Sequence, residues 1–108
     1  MKLRYLAAVL MVAFLAGCAV VDVTKTAKGF HEPTNPNDVE ILKTIPNRPY
    51  EELGTVTASQ FQPEETAKMH NAIRAKSAPL GATAVILMQE GILPNGKKWA
   101  TGVAIRYK

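Results

Sequence analysis

The sequence predicts an α+β domain over residues 39–108, with one helix laid across a small, mainly antiparallel sheet in the order β-β-α-β-β. Three observations point to it. Residues 99–108 alternate strictly, with Trp99, Thr101, Val103, Ile105 and Tyr107 on one side and Ala100, Gly102, Ala104, Arg106 and Lys108 on the other. Residues 63–80 instead repeat apolar side chains at three- and four-residue spacing and close on Gly81. Between them, Ala84 to Met88 is an unbroken apolar run, too short for a helix and bounded by turn residues.

Val39-Glu40-Ile41-Leu42 opens the domain as a short strand, ended by Pro46 and Pro49. Tyr50 to Thr57 is the second strand, rich in Thr and Val, where Gly54 marks a bulge or a close approach. Pro63 suits the first position of the helix, and Glu64 and Glu65 lie where the helix dipole favours negative charge. Thr66, Met69, His70, Ile73, Ser77 and Leu80 form its inner face. Pro79 removes a backbone donor, so the helix is expected to tighten or stop near Ala78, with Gly81 as its left-handed cap. Ala82 to Gln89 has no polar face and reads as a central strand covered on both sides. Leu93-Pro94-Asn95-Gly96 is a turn, and the alternating last strand follows with Trp99 and Tyr107 turned towards the core. About seventy residues without a crosslink form a marginal core, which association with a partner or a second copy would help.

The first part of the 108-residue chain has a different character. Met1-Lys2-Leu3-Arg4 is a short basic start, and every residue from Tyr5 to Ala16 is apolar, the layout of a bacterial secretory signal. Leu15-Ala16-Gly17-Cys18 resembles the lipobox of bacterial lipoproteins, with hydrophobic leader, small pair and cysteine in register. The resemblance implies that residues 1–17 are a signal peptide, with Leu15, Ala16 and Gly17 recognised by the signal peptidase. It also implies a diacylglyceryl thioether on Cys18 and an acylated new amino terminus. Several acyl chains anchor firmly, because each buried CH₂ contributes about 0.8 kcal/mol. Ala19, rather than Asp, after the cysteine implies an outer-membrane address in a Gram-negative host. An uncleaved membrane span is the competing reading, but the apolar run ending at Val21 only reaches the lower limit of roughly 17 residues.

Residues 18–38 read as a lipidated N-terminus followed by a flexible tether, with Pro33, Pro36, Gly29, Asn35 and Asn37 and little to bury beyond Phe30. Such a tether would hold the domain on the order of 25 Å from the bilayer.

Pro49 to Val56 and Leu80-Gly81-Ala82-Thr83-Ala84-Val85-Ile86, with the helix between them, resemble the YbjQ-like and RcsF-like families of small envelope proteins. The likeness implies the same strand–helix–strand fold and an envelope role, in the RcsF-like case stress sensing. This chain departs from it in having no cysteine after Cys18, whereas RcsF-like sensors carry disulfides in the domain.

Without Lys2 and Arg4 the formal charge falls from +4 to +2, too little for a nucleic-acid partner. One cysteine excludes an internal disulfide and a Cys-based zinc cluster. No Gly-x-Ser-x-Gly elbow, phosphate loop or His-Glu-x-x-His occurs. Ser59 and Ser77 have no base at a useful spacing, so the chain reads as non-enzymatic, with no catalytic residue. His31 and His70 are too isolated to define a metal site, and no cofactor is implied beyond the lipid on Cys18. The clearest surface signal is positive charge around the last hairpin. Lys97 and Lys98 lie in the turn, and Arg106 and Lys108 on the outward side of the last strand. They form a candidate surface for lipid phosphates, lipopolysaccharide or an acidic protein face, or else charge that keeps an edge strand from aggregating. The leading reading is a lipid-anchored accessory or stress-sensing module that binds another envelope protein. A structural homo-oligomer and a small-ligand or metal binder are the alternatives.

Overall fold

The computed structural model describes residues 19–108, and the leader and the Leu15-Ala16-Gly17-Cys18 motif lie outside the described residues. Strands Val20–Lys25 (β1), Glu40–Leu42 (β2), Tyr50–Phe61 (β3), Ala84–Ile92 (β4) and Lys98–Tyr107 (β5) form one sheet in the order β1-β3-β5-β4-β2. The helix Thr66–Ser77 (α1) lies across one face. Only the short β2–β4 pairing is parallel; the other neighbours are antiparallel. The class is α+β as expected, with one more strand than the sequence predicts.

That strand corrects the tether. Residues 20–25 pair along β3 from Val20↔Ser59 to Lys25↔Gly54, and Val21 and Val23 pack against the core beneath α1. Gly54 is required here, because a Cβ on it would sit 2.5 Å from the Thr24 carbonyl oxygen. The chain then stays on the domain. Thr26 and Ala27 donate their N–H groups to Leu53 O, and Thr34 Oγ1 donates to Ala82 O at 2.5 Å. His31 meets Glu51 at 3.1 Å. A segment with its alternate valines half-buried against the core and its backbone bonded to a sheet offsets its ordering entropy, which composition alone did not reveal.

The last strand alternates as predicted, but its faces are reversed. Ala100 and Ala104 are buried in the cluster that includes Met69 and Ile73 of α1. Ile105, Val103 and Tyr107 belong to a second cluster on the opposite face, with Ala84, Ile86, Leu42 and Tyr50. The helix packs on the small side because short side chains let its own Met69 and Ile73 reach the sheet; large side chains there would overfill the layer. The connection from β2 to β3 returns beside the second cluster, where the Arg48 guanidinium lies 3.8 Å over the Tyr107 ring. Ala84 to Leu87 are buried on both faces as predicted, but the central strand is β5 rather than β4.

The helix starts three residues later than Pro63 suggests, because Pro63 and Glu64 form a preceding turn. Gln62 N–H donates to Glu65 Oε1 at 2.8 Å, and Lys68 Nζ donates to Oε2 at 3.1 Å. These bonds, the backbone one first, hold the Glu65 carboxyl below its usual range. The other end behaves as predicted: α1 stops at Ser77, Ala78–Leu80 tightens into a 3₁₀ turn, and Gly81 caps it at φ 87°.

Candidate functional site on the free edge of the fourth strand

β2 has three residues, so it covers β4 only from Ala84 to Ile86. From Leu87 to Ile92 the outer edge of β4 has no strand partner among the described residues. The pairing with β5 slips by one residue between Leu87 and Gln89, so Met88 is an extra residue in a bulge. Met88 and Ile92 are 56% and 57% exposed, unusual for large apolar side chains in a strand. Beside this edge lies a shallow cleft of about 210 Å³, lined by Lys43, Leu87, Met88, Gln89 and Glu90. Lys43 Nζ and Glu90 Oε1 are 3.8 Å apart beside it. A bulge and a charged residue prevent indiscriminate edge pairing while leaving backbone groups free for a fitted strand.

His70 belongs to the electrostatic surroundings of this edge. Its Nε2 is buried without a hydrogen-bond partner. Desolvation is the main cause that lowers its pKa below 6.5; Arg74, Lys43 and Lys98 add to the effect and Glu90 opposes it. The unfolded chain therefore binds the proton more readily than the folded one, so this group's effect is to lower stability as pH falls below about 6.5 and to leave it unchanged above. His70→Gln is expected to flatten the decline in melting temperature between about pH 7.5 and 5.5. An unchanged slope would show that His70 is not the group responsible.

The four predicted cations do not form one surface. Lys98 and Arg106 are separated by eight strand positions, about 27 Å. Lys98 Nζ donates to Thr66 Oγ1 at 2.9 Å, at the start of α1. Arg106 is on the helix side rather than the outward side, and its Nη1 donates to Gly81 O at 2.9 Å, supporting the helix cap. Lys108 lies at the far end of the sheet, its backbone N–H bonded to Pro49 O. Lys97 is in the hairpin turn, its N–H bonded to Asn95 Oδ1. Trp99 and Tyr107 lie on the face away from the helix rather than in the core beneath it. The Trp99 indole covers Gly91, where a Cβ would sit 2.9 Å from Nε1.

His31 and His70 have separate surroundings, and among the described residues no three His, Cys, Asp or Glu side chains gather as metal ligands. No helix among the described residues is long and apolar enough to cross a membrane. The free β4 edge was missed from sequence; its one signal was the mismatch between a four-residue first run and the longer run at Ala82–Gln89.

No family model matches the chain, and no curated protein matches it. Among solved structures, the crystal structure of the Francisella virulence factor FvfA in its orthorhombic form is similar. The TM-score is 0.58 at 18% identity, and the match covers 81% of this chain and 97% of that one. At that identity the likeness concerns the fold: one helix on a five-stranded sheet.

Proposed function

We propose that the chain is a non-enzymatic, lipid-anchored envelope protein that binds another envelope protein along the free β4 edge. The observation that carries the reading is the unpaired outer edge of β4 after Ile86, with Met88 exposed beside the cleft. A partner segment in extended conformation would continue the sheet where β2 stops, taking main-chain hydrogen bonds from β4. Its alternate side chains would enter the cleft between Lys43 and Glu90. The Leu15-Ala16-Gly17-Cys18 motif supports the anchor, and the likeness to RcsF-like envelope proteins supports an accessory or sensing role.

The test is crosslinking in intact cells with a photo-reactive side chain at Met88, and at Ala75 on the exposed side of α1 as control. One heterologous protein captured from Met88 and absent from Ala75 is the expected result. Self-adducts at Met88 would replace this reading by pairing of two β4 edges in a homo-oligomer. No adduct at Met88 would remove the partner-binding reading.

A further inference from the structure

One residue, Ala19, separates Cys18 from Val20 at the start of β1, so the two are at most about 7 Å of chain apart. With the Cys18 anchor of the proposed function in place, the sheet itself, and not a tether, meets the bilayer. The strand register says which end does so. Val20 pairs with Ser59, Ala58 with Ala100 and Phe61 with Lys98, so the start of β1 lies at the same end of the sheet as the β4–β5 hairpin. Val20 is 43% exposed, and its neighbours Val21 and Val23 face the helix side. Val20 therefore shares the open face with Trp99, two strand spacings or about 10 Å away. Ile92 is exposed at the same end, and Lys97 follows in the turn.

The hairpin is held rather than loose. Leu93 N–H donates to Lys97 O at 2.7 Å, and Asn95 Nδ2 donates to Gln60 Oε1 at 3.0 Å. Gln60 itself adopts φ 65° within the irregular pairing between Ala58 and Phe61, which fixes the hairpin to the strand beside β1. Of the acidic residues near this end, Glu64, Glu65 and Glu90 lie on the helix side, and Asp22, opposite Thr57, lies on the open face two positions further from the end than Val20. The tip of the open face, beyond Asp22, holds Trp99, Val20 and the lysine of the turn. Aromatic and aliphatic groups beside a lysine are what an interface between phosphates and acyl chains accommodates.

We propose that this end of the sheet, formed by Val20, Ile92, Trp99 and the Leu93–Lys97 turn, rests on the phospholipid leaflet that holds the Cys18 anchor, with Trp99 at headgroup level. The β4 edge then rises from the membrane surface, open to a partner in the envelope.

The chain contains one tryptophan, which makes the test direct. The full chain, expressed with its leader, is reconstituted into vesicles of phosphatidylethanolamine and phosphatidylglycerol carrying a spin label near the headgroup or at the acyl chain end. Its intact mass is read in the same sample. The expected result is a lipidated mass, quenching of Trp99 about twofold stronger from the shallow label than from the deep one, and protection from aqueous iodide. A flexible Gly-Ser insertion between Ala19 and Val20 leaves the fold and the anchor intact, and lowers the quenching by lipid. A lipidated chain whose Trp99 is quenched by iodide and not by lipid overturns the proposed orientation and leaves the anchor standing. So does quenching by lipid that the insertion does not change. An unlipidated mass overturns the anchor, and this arrangement with it.

Discussion

Gly102→Val is expected to lower the melting temperature by about 12–24 °C, the equivalent of roughly 3 kcal/mol in a domain of this size. Gly102 lies on the central strand, opposite Val56 on β3 and Leu87 on β4. A Cβ there would sit 2.5 Å from the Ile86 carbonyl oxygen, 3.2 Å from its carbon and 3.3 Å from Leu87 Cα. All three atoms are backbone, so no side chain can turn aside. The close approach comes from the Met88 bulge, which begins one position after the Gly102–Leu87 pair. Valine would push β4 away from β5 and lose ladder bonds on a strand with neighbours on both sides. A chain of this size has a total stability of roughly 5–13 kcal/mol, so the loss is a large share of it. Thermal unfolding of the purified chain followed by circular dichroism measures the effect. A shift of only a few degrees would mean that the two strands are not so close.

The same strand shows how far the sequence could be read. Its period-two pattern identified β5 and divided its side chains correctly between two faces. It did not say which face the helix takes, because hydrophobicity ranks Val103 and Ile105 above Ala100 and Ala104, whereas the helix selects by volume. The cap at Gly81 and the early stop at Ser77 were legible because they depend on residues within a few positions of one another. The free edge of β4 was not, since it depends on the length of β2, which is distant in sequence. The scattered cations illustrate the same limit. Arg106 and Lys98 are close in sequence, but an extended strand carries them to opposite ends of the sheet, where one supports a helix cap and the other reaches Thr66. β1 was hidden by its neighbours: Val-Val-Asp-Val-Thr-Lys alternates, but it follows an apolar leader and precedes a stretch rich in Pro and Gly.

The double substitution Val21→Asp/Val23→Asp is expected to detach β1 and to cost roughly 3–5 kcal/mol. Both valines pack against the buried cluster that includes Met69 and Ile73, and they pair with Ala58 and Val56. Each replacement removes apolar contact and puts a carboxylate against the helix layer. Val20→Asp makes the same chemical change one residue earlier, on the open face, where Val20 is already 43% exposed. Its cost is expected to stay within about 0.5 kcal/mol. A flexible segment over residues 18–38 would make the two changes indistinguishable, whereas a docked strand separates them by several kcal/mol. Hydrogen exchange gives an independent reading, since β3 amides bonded to β1 lose protection in the double variant and keep it in Val20→Asp. The contrast also bears on the membrane arrangement. With β1 detached, the seven residues 19–25 become flexible chain between Cys18 and the stretch still bonded to the sheet at Thr26 and Ala27, and that length holds a domain on the order of 15 Å from its anchor. Trp99 in the double variant is therefore expected to lose its contact with lipid, because β1 is the rigid link between the acylated cysteine and the sheet.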